Sequence, residues 1–141
     1  MKSLLIIFSS IALLSSCVKN IELIPVNNVQ PPEIKEGKEL ATGMFSNGAH
    51  AVSGTVKIIS DSNNADKKYL SFENFKTEQG PDLYIYLAED TRSTNFVTVV
   101  KLDKTGTFVL DVPQEAKLDK QKYVLVWCRQ FSVLFGSAKL L

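Results

Sequence analysis

The chain has 141 residues, a near balance of 16 basic against 15 acidic side chains, and two cysteines and one histidine. This length holds one domain, and the neutral balance offers no electrostatic handle for nucleic acid, so no nucleic-acid partner is expected. One histidine and two cysteines fall short of the four Cys or His ligands of a structural zinc site. No Gly-rich phosphate loop, Walker-type motif or nucleophile-elbow serine occurs, which leaves thiol chemistry, a ligated cofactor or no chemistry at all.

Residues 1–16 read as a signal peptide, with Lys2 as the positive start and residues 4–14 as an apolar core too short to span a bilayer. Leu14-Ser15-Ser16-Cys17 then resembles a bacterial lipobox, in which small residues precede a cysteine that becomes N-terminal and lipidated. Acyl chains on Cys17, such as palmitate, would attach the protein to a membrane of the bacterial cell envelope, with its domain outside the cytoplasm. The alternative is an ordinary secretory signal that leaves Cys17 as a thiol. With Cys17 lipidated, Cys128 has no intramolecular disulfide partner. Residues 17–40 carry Asn27, Asn28, Gln30, Pro31 and Pro32, a composition expected of a tether with a reach of roughly 25 Å.

Residues 41–141 are expected to form an all-β domain, a single antiparallel β-sandwich of about seven to nine strands. Gly43-Met44-Phe45-Ser46 opens it and Asn47-Gly48 signals a turn. Residues 50–60 follow, with His50, Val52, Gly54, Val56 and Ile58 on one face. The next strand covers residues 69–75, and Gln79-Gly80-Pro81-Asp82 launches a strand over 83–87. There Leu83, Ile85 and Leu87 lie opposite Tyr84 and Tyr86. Residues 96–102 and 107–112 read as a hairpin around Asp103-Lys104-Thr105-Gly106. Residues 122–136 are apolar on both faces, β-branched and aromatic, which predicts one central strand with Trp127 at a sheet interface. Residues 138–141 would add a last strand.

On residue chemistry alone, Cys128 reads as a buried small hydrophobe or as a reactive thiol. Strand alternation turns the adjacent Arg129 away from its sulfur. His50 is either hydrogen-bonded in place or a ligand or base.

Three blocks together resemble the electron-transfer DM-thirteen domain, found in animal surface proteins and bacterial lipoproteins. They are Gly43-x-Phe45 with His50-Ala51-Val52-Ser53-Gly54-Thr55-Val56, then Asn74-Phe75 with Gly80-Pro81-Asp82-Leu83-Tyr84-Ile85-Tyr86-Leu87, and the run from Trp127-Cys128-Arg129 to Gly136-Ser137-Ala138. The family's hallmark cysteine falls on Cys128. The resemblance implies an all-β domain that transfers electrons through that cysteine, as a bare thiol or as ligand to a cofactor such as haem; in a redox module of this kind His50 is expected as a further ligand or as a base. It describes an electron-transfer module rather than an enzyme with its own substrate, so a separate redox partner protein is expected. The competing expectation is a non-catalytic β-sandwich that binds or supports other components of the envelope.

Overall fold

The computed structural model describes residues 37–141; the expected signal peptide, Cys17 and most of the expected tether lie outside the described residues. Eight strands are found among the described residues: β1 (Glu39–Asn47), β2 (Val52–Ser60), β3 (Lys68–Thr77), β4 (Leu83–Ala88), β5 (Val97–Lys101), β6 (Gly106–Asp111), β7 (Tyr123–Cys128) and β8 (Val133–Lys139). All pair antiparallel in the order β5-β4-β7-β8-β1-β2-β3-β6, and there is no helix among the described residues. The domain is all-β, as expected.

The strand order folds over itself at β1. Residues 39–44 of β1 pair with β2, and Phe45, Ser46 and Asn47 pair with β8. Gly43 marks the change of partner: a Cβ there would lie 2.5 Å from the Lys139 carbonyl oxygen, so only a bare backbone lets β8 approach. One layer thus holds β2, β3 and β6, the other β8, β7, β4 and β5. Between them lie Phe45, Val56, Leu70, Phe72, Phe75, Ile85, Leu87, Val124, Val126 and Cys128, all buried. The rings of Phe45, Phe72, Phe75 and Phe108 pack on one another at 4.6–6.0 Å within this layer.

Alternation holds in β4 and β7. Leu83, Ile85 and Leu87 face inward, whereas Tyr84 and Tyr86 face the outside of the sheet. Val124, Val126 and Cys128 likewise face inward, and Tyr123, Leu125 and Trp127 outward. β3 breaks its alternation at Asn74, whose φ of 50° inserts one extra residue against both β2 and β6. Leu70 and Phe72 before this bulge and Phe75 after it therefore all reach the core. Gly54 faces the bulge with φ 115°, where a Cβ would come within 2.7 Å of Phe75 Cα.

Three expectations are corrected. Residues 122–136 are not one strand: β7 ends at Cys128, residues 129–132 turn with Ser132 at φ 52°, and β8 returns alongside. Trp127 does not lie between the layers. It packs on the outer sheet face, half-buried, 6.4 Å from the Tyr86 ring. β5 and β6 are not a hairpin either: they occupy opposite ends of the strand order, and residues 102–105 carry the chain from one layer to the other.

Candidate functional site

Cys128 ends β7 on its inward face, with no exposed surface, and is the one cysteine among the described residues. Across the ladders it stands opposite Leu83 of β4 and Val133 of β8, and it shares the core cluster with Val126 and Phe135. Placing the sulfur in this dry layer follows from parity: Val124 and Val126 are the aliphatic members of the same face.

Arg129, the next residue, leaves on the opposite side. Its guanidinium lies 3.7 Å from the centre of the Tyr84 ring. Nε donates to Tyr86 Oη at 3.0 Å and a terminal nitrogen to Thr98 Oγ1 at 3.2 Å. The Tyr86 hydroxyl raises the guanidinium's affinity for its proton further above an already high value. The charge is thus held on the outer face, where it does not stabilise a Cys128 thiolate.

His50 lies outside the strand proposed for it, in the turn before β2. A bulge in β8 explains its placement. Val126 stands opposite Gly136 and Trp127 opposite Leu134, which leaves Phe135 as an extra residue. The Phe135 carbonyl then accepts from the Gly48 and His50 backbone N–H groups at 2.7 and 3.3 Å, and the Leu134 carbonyl accepts from Ala49 at 2.9 Å. This draws the turn onto β8 and stacks the His50 ring on Phe135, centroids 3.9 Å apart. His50 Nδ1 donates to Glu78 Oε2 at 2.8 Å, and the other carboxylate oxygen of Glu78 accepts from the Ala51 N–H at 3.2 Å. These bonds hold the Glu78 carboxyl below its ordinary range, the one from His50 contributing most.

The structure therefore does not bring His50 and Cys128 together as a pair. His50 stacks on Phe135, which belongs to the same core cluster as Cys128. Glu78 and Phe135 are parts of this arrangement that sequence reasoning missed. Glu78 stands 28 residues from His50, and no local pattern links the two.

A haem or other ligated group needs open space beside its ligand. Cys128 has no exposed surface, and among the described residues neither it nor His50 lines the surface clefts of about 360 to 870 Å³. Among the described residues no three His, Cys, Asp or Glu side chains cluster as metal ligands. As arranged, Cys128 and His50 do not fit a haem. Cys128 is a free thiol whose burial withholds it from solution in the closed fold.

A family model described as Electron transfer DM13 matches residues 44–140, nearly all of the described domain. No curated protein and no solved structure gives a match.

Proposed function

Because the chain belongs to the electron transfer DM13 family, we propose that it works as an electron-transfer module of a bacterial cell envelope, with the Cys128 thiol as its working group. Acyl chains on Cys17 hold it to the membrane, the tether gives the domain reach, and the electrons pass to or from a separate partner protein. The observation that carries this reading is the family match, which spans the whole domain around Cys128. Thiol–disulfide exchange suits a bare thiol. Cys128 gives its proton to solvent, and its thiolate attacks one sulfur of a partner disulfide. A new S–S bond forms, the old one breaks, and the partner's other sulfur leaves as thiolate with the electron pair. A dithiol of a separate donor protein completes the transfer. One of its thiolates attacks the Cys128 sulfur and releases the partner's second sulfur as thiolate. The other then attacks the donor's own bound sulfur, forming the donor disulfide and releasing the Cys128 thiolate.

A Cys128→Ser variant keeps the approximate shape of the side chain and removes the soft sulfur. It should retain the fold, judged by its unfolding transition, and lose electron exchange with the partner. Retained exchange would refute the role of Cys128. An absorbance spectrum and a thiol titration of the wild-type chain should show no chromophore and a titratable thiol at residue 128. A co-purifying chromophore would favour a ligand role instead.

One observation favours a second reading. Cys128 is fully buried among valines and leucines, the setting of a cysteine used as packing in a non-catalytic β-sandwich. Under that reading Cys128 stays inert to thiol reagents in the native protein, and Cys128→Ser has no effect except on stability.

A further inference from the structure

Residues 78–82 carry the chain from β3 in one layer to β4 in the other, at the end of the sandwich where Cys128 lies. Gly80 sits so low on the core that a Cβ there would lie 2.8 Å from Phe135 Cζ and 2.9 Å from Leu83 Cδ2. The crossover therefore covers Leu83, which stands opposite Cys128 in the ladder, and Phe135, a member of the same core cluster.

The two ends of the crossover are fastened differently. At the first end, Glu78 bonds His50 and Ala51 through its carboxylate, and its backbone N–H donates to the Ala51 carbonyl at 3.2 Å. At the second, the Asp82 carbonyl accepts from the Arg129 N–H at 2.9 Å and the Asp82 carboxylate pairs with Lys101 at 3.1 Å. Both fastenings are solvent-screened: the side chains are 37% and 54% exposed in the His50–Glu78 pair and 62% and 26% exposed in the Lys101–Asp82 pair. A cleft of about 360 Å³ opens beside the crossover, bounded by Thr77, Glu78, Gly80, Leu102 and Lys104, with Leu83 in its lining. Leu83 thus faces this cleft and also flanks the thiol.

We propose that residues 78–82 form a lid latched by the contacts of Glu78 with His50 and Ala51, and that opening this lid admits a thiol-reactive group past Leu83 to Cys128. The proposal deepens the thiol reading above and assigns His50 and Glu78 as positioning residues that govern access. It gives the buried sulfur a way to react without unfolding of the domain, since local openings of weakly held connections are cheaper than global unfolding.

The test is alkylation of the full chain by iodoacetamide, in which the thiolate forms an S–C bond and iodide leaves. Trypsin cuts after Lys122 and Arg129, so labelling is read by mass on the peptide of residues 123–129, free of any signal from Cys17. Glu78→Gln weakens the latch and should raise the labelling rate of Cys128 about tenfold, from the loss of charged hydrogen bonds. His50→Ala should raise it in the same direction. Glu73→Gln, which removes an exposed carboxylate paired with Lys57 elsewhere on β3, should leave it unchanged. Global unfolding is measured on each variant by urea denaturation. The lid is overturned if Glu78→Gln labels within about twofold of wild type, if no variant labels at all, or if the gain is matched by an equal rise in the global unfolding constant. The readout is access alone, so a protein that labels as expected but exchanges no electrons would retain the lid and refute the electron-transfer role.

Discussion

The two faces of β7 carry six consecutive residues to different ends. Its inner face, Val124, Val126 and Cys128, is fully buried between the layers. Its outer face, Tyr123, Leu125 and Trp127, joins Tyr84, Tyr86 and Leu134 in a second cluster, four of whose rings are aromatic and most of whose members are half-buried. Arg129 completes that face from the turn beyond β7. The contrast teaches where a sulfur and a charge can be kept one residue apart. Alternation places the thiol between the layers and the guanidinium on the outer face of the sheet, so access is what a reaction at Cys128 would have to gain.

The comparison is sharpened most by truncating one large side chain on each face. Phe72→Ala removes a fully buried ring of the inner layer and should cost about 3–5 kcal/mol, read from the urea midpoint at unchanged slope. Trp127→Ala, on the outer face, should cost only about 1–2 kcal/mol, because the half-buried indole leaves less apolar area and no enclosed cavity. A loss for Trp127 equal to that for Phe72 would break the distinction. Arg129→Ala follows with a smaller fall in the urea midpoint than Trp127→Ala, since it removes the donor to the hydroxyl of Tyr86, a residue only 2% exposed. Arg129→Lys should recover little of this, as an ammonium cannot bond Tyr86 and Thr98 from a planar fork while stacking on Tyr84.

The smallest effect is a pH dependence far from the thiol. Asp90 accepts the backbone and hydroxyl hydrogens of Thr94 and bonds to Arg92, with the Thr94 backbone contributing most, and its carboxyl is lowered from 3.8 to about 2. Because the folded value is depressed, its contribution is present above 3.8 and is lost as pH falls towards 2. Asp90→Asn should flatten the fall in stability across that window in acid titrations of the unfolding midpoint. An unchanged acid limb would show that this loop frays without cost to the domain.

Much of the fold was legible because strand alternation assigns the inward faces of β4 and β7, Leu83, Ile85 and Leu87 and Val124, Val126 and Cys128, although Tyr86 and Leu125 on the outer face are buried as well. The turn over residues 129–132 was not, because Arg129, Gln130, Phe131 and Ser132 include none of Gly, Pro or Asn, and Ser132 takes the left-handed conformation that Gly or Asn usually supplies. The sequence Asp103-Lys104-Thr105-Gly106 has turn chemistry, but turn chemistry does not say whether the next strand pairs with the last or crosses to the other layer. Of the candidate site, Cys128 was legible as an inward-facing residue of β7. The place of His50 was not, since it depends on the extra residue at Phe135 and on Glu78, which only the tertiary fold brings near.

The central claim is that Cys128 reacts through a local opening at one end of the sandwich. It is tested most directly by alkylating the wild-type chain across a series of low urea concentrations and following residue 128. A local opening exposes little surface, so the labelling rate should rise with urea at a slope well below that of global unfolding. A slope equal to the global one would mean that the thiol is reached only when the domain unfolds, and would leave Cys128 as a packing residue.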